Sequence, residues 1–252
     1  MKKILLVAVL SSVVTACAAD KHFEYEGVEY VYKDKTLFVS DDDNDALVQC
    51  SLMMTDSDCN KVFESYQANR HNNVVSVCSE SLEGDRPLTF SAHGDVAQLN
   101  GVICDGSLGA FEQFIKYNQQ INTLDFVDLP GSIDDETNLK LAYLIRKLGL
   151  NTSIGSNGHI ASGGTDLFLS GVKRRIEVGA KIGVHSWADG EGVSGGELSK
   201  TDREHTPYIT YYKEMGLPDP AGFYFFTLEA APPNGMHYLT KSELDAFGFE
   251  SD

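Results

Sequence analysis

From Pro87 onward the chain alternates apolar segments of two different periods, and this alternation constrains its fold more than any other feature. "PLTFSAHG", "TLDFVDL" and "AKIGVHSW" read as strands, and "NTSIGS" as a shorter one. Between them "SLGAFEQFIKYNQQ" places Leu108, Phe111, Phe114 and Ile115 on one helical face. "DDETNLKLAYLIRKLG" starts acidic, ends cationic and stops at Gly149, as a helix does when its end charges complement its dipole. "GGTDLFLSG", "TPYITYYKEMG" and "TKSELDAFG" read as further helices, and "FYFFTLEA" reads as extended. Strands separated by helix-length connections predict an α/β domain with mainly parallel pairing. The 252 residues, 42% of them hydrophobic, support one sizeable core and a small appendage.

That appendage spans residues 17–85. In "FEYEGVEYVYKDKTLFV" aromatic or aliphatic residues alternate with charged ones, the period of half-buried strands, and "EGVEY" and "YKDKT" supply turns. In "DDDNDALVQC" the spacing of Asp41, Asp43 and Asp45 imitates the start of a calcium loop. Ala46 and Leu52 stand where that loop needs a glycine and a closing glutamate, so the run reads as a solvated acidic loop. The domain that follows spans residues 86–252.

The first residues have a charged start at Lys2 and Lys3 and then an apolar run too short to span a bilayer, the pattern of an export signal over residues 1–16. Val14-Thr15-Ala16-Cys17 resembles the bacterial lipobox. That resemblance implies cleavage before Cys17, acylation of Cys17 and, with Ala18 following, an anchor in the outer membrane facing the periplasm or the cell surface. The net charge of -17 and pI near 4.7 offer no basic surface to phosphates, so nucleic acid is not an expected partner.

Four further cysteines, Cys50, Cys59, Cys78 and Cys104, are an even number in an exported chain and predict two disulfides. Three pairings are possible. The short separation favours Cys50–Cys59, leaving Cys78–Cys104. No C-x-x-C knuckle points to zinc, and no metal is expected.

The chemistry-bearing stretch is "GHIASGG", Gly158–Gly164. Serine is a weak nucleophile until a base takes its proton and donors stabilise the oxyanion. Ser162 lies at a strand-to-helix junction, where free N–H groups collect, so Gly163 N–H is a natural oxyanion donor. The turn Pro130-Gly131-Ser132 brings Gly131 N–H to the same sheet edge, and His185 ends a strand from which its imidazole can act as base. Close helix packing alone would also account for Ala161, Gly163 and Gly164.

"FVDLPGS", "GHIASGG" and "KIGVHSW" occur in an order that resembles the ClpP/crotonase superfamily, and more closely its exported Clp-like serine peptidases. The resemblance spans residues 86–249. It implies a spiral of ββα units, Ser162 as nucleophile, His185 as base and an oxyanion hole at Gly131 and Gly163. The substrates implied are peptides or unfolded proteins, with no cofactor and a possible homo-oligomer. Ser132 replaces the second glycine of the turn, and Met236 stands where the family carries its acid. Asn234 is the nearest substitute able to orient His185; Asp189 and His237 are weaker ones.

Two other classes compete: a catalytically inactive envelope lipoprotein that binds partners, and acyl-thioester chemistry in which the Gly131/Gly163 hole does the work. Within the enzyme reading, "GVSGG" around Ser194 matches the nucleophile elbow but lacks a strand before it and a helix after it, so it reads as a loop or lid. Lys181 or Lys140 could replace His185 in a Ser–Lys pair. His159 reads as a hydrogen-bonded structural or substrate-side residue; His22, His71, His93 and His205 read as surface or core residues.

Overall fold

The computed structural model describes residues 21–25, 28–33, 36–41, 44–51, 71–80, 82, 85–190 and 192–251. The lipobox at Cys17 and the Cys50–Cys59 pairing fall outside the described residues. Two compact units meet at Val75/Ser76. The composition changes later, at 85/86, but residues 76–88 are tied to the second unit: Ser76 N–H donates to Leu88 O at 2.8 Å, and Cys78 is disulfide-bonded to Cys104.

In the first unit, β1 (Lys21–Tyr25), β2 (Val28–Lys33), β3 (Thr36–Asp41) and β4 (Asn44–Ser51) form an antiparallel meander. The pairs Tyr25↔Val28, Lys33↔Thr36 and Asp41↔Asn44 leave two-residue connections, as tight hairpins require. Of the acidic run expected as a loop, Asp41 ends β3 and Asp45 lies inside β4. A short strand, β5 (Asn73–Val75), closes this unit.

The second unit is mixed α/β. An antiparallel hairpin, β6 (Thr89–His93) and β7 (Val96–Asn100), leads through α1 (Ser107–Tyr117) to β8 (Thr123–Leu129). Then α2 (Asp135–Lys147), β9 (Asn151–Ala161), α3 (Gly163–Leu169), β10 (Arg174–Ile176) and β11 (Lys181–Val184) follow. The chain ends with α4 (Thr206–Glu214), α5 (Pro220–Ala230), β12 (His237–Tyr238) and α6 (Lys241–Ala246). β7, β8, β9 and β11 pair in parallel in that order, and β12 adds antiparallel to β11. Phe90 lies between Phe111 and Phe114 of α1, with ring centroids 5.5 and 5.6 Å away, while Phe126 of β8 meets Phe168 of α3 edge-on; all five are fully buried.

Two expectations change. β9 does not stop at "NTSIGS" but runs on to Ala161. Its register against β8 jumps between Phe126↔Ile154 and Asp128↔His159, so the glycines that look like a terminator form a bulge. A Cβ on Gly158 would lie 2.9 Å from Phe126 O, so only glycine lets the backbones pass. "FYFFTLEA" is helical, not extended. Its apolar run has no helical period because it is buried on several sides, while Asp219 caps the helix by accepting from Gly222 N–H at 2.9 Å and Pro220 takes the first helical position.

Candidate active site

β9 hands over to α3 at Ser162, whose φ of 51° and ψ of -128° make it the one non-glycine residue with positive φ among the described residues. Its N–H donates to Gly183 O of β11 at 3.1 Å, and its carbonyl accepts from Thr165 and Asp166 N–H at 2.8 and 3.2 Å. Thr165 Oγ1 donates to the same Gly183 O at 2.8 Å. The sheet and the helix therefore hold Ser162 from both sides in a conformation that costs about 1–3 kcal/mol for a residue with a side chain.

The neighbouring glycines serve packing. A Cβ on Gly164 would sit 2.3 Å from Leu129 O, and one on Gly163 would sit 2.4 Å from Ser132 Oγ. Close approach thus explains Gly163 and Gly164, but it does not explain a strained serine before them. Gly131 lies against Ser162: a Cβ there would be 3.4 Å from Ser162 Cβ and 3.8 Å from its Oγ. The turn carrying Gly131 is pinned to Ile103, which donates to Gly131 O at 3.0 Å and accepts from Ile133 N–H at 2.9 Å. Neither Gly131 N–H nor Gly163 N–H donates to a described group.

Ser162, Gly163 and His185 line one cleft, whose cavity measures about 50 Å³. No hydrogen bond joins Ser162 to His185, and His185 Nδ1 is buried without a partner. Asn234 therefore does not orient the imidazole in this structure. Asp189 instead accepts from Val193 N–H at 2.8 Å, and His237 Nε2 lies 3.1 Å from both Glu243 oxygens. β11 and β12 pair Val184 with His237, so His185 directly follows β11 and Met236 directly precedes β12. Met236 packs on Gly183, where a Cβ would come 2.6 Å from its sulfur.

The rival groups have other partners. Ser194 caps the short turn of 3₁₀ helix Gly195–Glu197 and shares a 2.8 Å hydrogen bond with Ser186. Lys140 is paired with Glu136 at 2.7 Å. Lys181 lines a different hollow with His159 and Tyr238. There His159 is bonded through Nδ1 to Asp128 at 3.0 Å and through Nε2 to Tyr238 at 3.1 Å, so its polar atoms are satisfied. His205 is buried, with Tyr224 and the Ser199 carbonyl each at 2.9 Å.

The rest of the cleft is an acidic and aromatic wall that the motifs do not announce: Asp135, Asp166, Trp187, Tyr208, Tyr212 and Tyr224. Tyr212 donates to Asp166 Oδ1 at 2.6 Å, and Tyr208 donates to Asp135 Oδ2 at 2.7 Å. Trp187 Nε1–H donates to Tyr224 OH at 2.8 Å, and Tyr224 stacks on Tyr208. Burial pushes the Asp166 carboxyl up to about 7, with the charge of Asp135 adding to the shift and the Tyr212 hydrogen bond opposing it. Burial also holds the Tyr212 phenol well above its usual range, so it stays a donor. The sequence shows this wall only through Tyr208 and Tyr212, four apart on one helix face. Among the described residues no cluster of His, Cys, Asp and Glu could hold a metal ion.

No protein-family model and no curated protein matches the chain. Among solved structures, a membrane-bound stomatin-specific protease, 1510-N, bound to a substrate peptide is similar over 62% of this chain and 72% of its own, at 18% identity and a TM-score of 0.44. DspI from Pseudomonas aeruginosa is similar over 67% of this chain and 74% of its own, at 14% identity and a TM-score of 0.39. An enoyl-CoA hydratase from Geobacillus kaustophilus is similar over 65% of this chain and 66% of its own, at 13% identity and a TM-score of 0.40.

Proposed function

We propose that this protein is a Clp-like serine peptidase of the bacterial envelope, exported, anchored at the outer membrane through Cys17 and acting on peptides or unfolded proteins. The observation that carries this reading is the strained Ser162 at the strand-to-helix turn, with Gly131 and Gly163 N–H unengaged beside it and His185 in the same cleft. Ser162 Oγ would add to the peptide carbonyl carbon as His185 takes its proton, and the two N–H groups would receive the developing oxyanion. As the C–N bond breaks, the imidazolium returns the proton to the leaving amine. Water then hydrolyses the acyl ester with the same base. No cofactor enters this sequence of steps.

A second reading rests on Met236 and on the unpartnered Nδ1 of His185. With no acid to set its tautomer and stabilise its cation, the imidazole is a weaker base, and the module would bind partners without turnover. Labelling with a fluorophosphonate separates the two. Wild type should label, and Ser162→Ala and His185→Ala should not; equal labelling of all three, or none in folded wild type, removes the peptidase reading. For the anchor, Cys17→Ser should block processing and the incorporation of labelled fatty acid.

A further inference from the structure

The cleft beside Ser162 contains more negative charge than the chemistry of an acyl transfer uses. Asp166 sits on α3 one helical turn after the serine, and Asp135 begins α2 across the cleft. Among the described residues, no lysine, arginine or histidine forms an ion pair with either carboxylate. Each carboxylate is oriented by neutral donors: Asp135 by Ser132 at 2.6 Å and Tyr208 at 2.7 Å, Asp166 by Tyr212 at 2.6 Å. Asp166 is half-buried and its Oδ2 receives no hydrogen bond from any described group, so one carboxylate oxygen is open to an occupant.

The rings beside these carboxylates are held by their own contacts. Tyr208 stacks on Tyr224 at 5.7 Å with 13° between the ring planes, and Trp187 and His205 hold the Tyr224 hydroxyl from two sides. Such faces accept the methylene stem of a long side chain and attract a cation. The cavity of about 50 Å³ has room for a compact polar head group, and it is open at its mouth. A protein of net charge -17 also draws cations toward it over a distance.

We propose that this cleft is a subsite for a cationic side chain, a lysine or arginine next to the bond under attack, held by Asp166 and Asp135 against Tyr208 and Tyr224. That the cation belongs to a peptide rests on the peptidase reading of Ser162; that the cleft takes a cation does not. Binding relieves the two neighbouring carboxylates of their repulsion and gives Asp166 Oδ2 a donor.

Two measurements test it. Benzamidinium and uncharged benzamide are titrated into the full chain at pH 8 by calorimetry, using wild type, Ser162→Ala, Asp166→Asn and Asp135→Asn, each checked for an unchanged circular dichroism spectrum. Wild type and Ser162→Ala should bind benzamidinium and not benzamide, and each Asp→Asn variant should bind at least tenfold more weakly. No saturable binding to wild type, equal binding of benzamide, or full binding by both Asp→Asn variants overturns the cation site. Separately, diphenyl phosphonates carrying a lysine-like or a norleucine-like side chain are compared with a plain fluorophosphonate. A rate at least tenfold higher for the lysine-like probe supports the substrate assignment. Plain labelling without that preference overturns it and leaves the peptidase reading standing. Benzamidinium binding without any labelling upholds the cation site and removes the peptidase reading.

Discussion

Ser162 donates its N–H to Gly183 O at 3.1 Å while holding a φ of 51°, so the strand neighbour that fixes the residue also keeps it strained. Glycine adopts this conformation without a Cβ penalty. Ser162→Gly should therefore be more stable than Ser162→Ala by about 1 kcal/mol, read from urea midpoints, while both lose fluorophosphonate labelling. Equal midpoints would show that the turn stores no strain.

Met236 directly precedes β12 with its sulfur against Gly183, and His185, which directly follows β11, has a buried Nδ1 without a partner. Met236→Asp puts a carboxylate at the family's acid position, beside the end of β11. Labelling of Ser162 should rise at least tenfold at pH 8, because the carboxylate sets the tautomer and stabilises the imidazolium. Thermal stability should fall by a few degrees, as roughly 1–3 kcal/mol of thioether packing on Gly183 is lost.

Asp166 gives a pH signature with a defined sign. Its carboxyl is raised from 3.8 to about 7 in the folded protein, so between these values the native state binds the proton more tightly than the unfolded chain. Its contribution to stability is therefore fullest below pH 4 and declines as pH rises to about 7. The groups facing it are Tyr212 and Tyr208 of α4, Asp135 of α2, Tyr224 of α5, and Tyr211 of α4, whose hydroxyl bonds the Asp166 carbonyl. Asp166→Asn should lose this decline: the melting temperature of wild type minus that of the variant should fall from pH 4 to pH 8. A flat difference would mean that the carboxyl is not perturbed.

Cys78 and Cys104 close a separation of 26 residues. Replacing both with alanine should cost about 3.5 kcal/mol by the loop-closure argument. Because Ile103 precedes Cys104 and holds the Gly131 turn by two backbone hydrogen bonds, labelling of Ser162 should slow as well. Loss of stability with an unchanged labelling rate would separate the disulfide from the turn.

Much of the fold could be read wherever the local signal was sufficient by itself. α2 carries its own cap at Asp134, acidic residues in its first turn and Arg146 and Lys147 in its last, and it forms as read. α5 does not show its period because it is buried on several sides, and its start at Asp219-Pro220 is the better signal. The full length of β9 is not legible because glycines that end strands also build bulges, and only the partner strand decides between the two.

The site divides in the same way. The sequence by itself determined the small-residue turns around Gly131 and Ser162, the histidine at the end of β11 and the absence of an acid at Met236, because each belongs to a short segment with its own local pattern. Only the tertiary structure decided that Asp135, Asp166, Tyr208, Tyr212 and Tyr224 share a cleft with Ser162. That outcome depends on how α2, α4 and α5 pack around the first turn of α3, and such packing follows from side-chain volumes and buried area summed over distant segments, which no local spacing records.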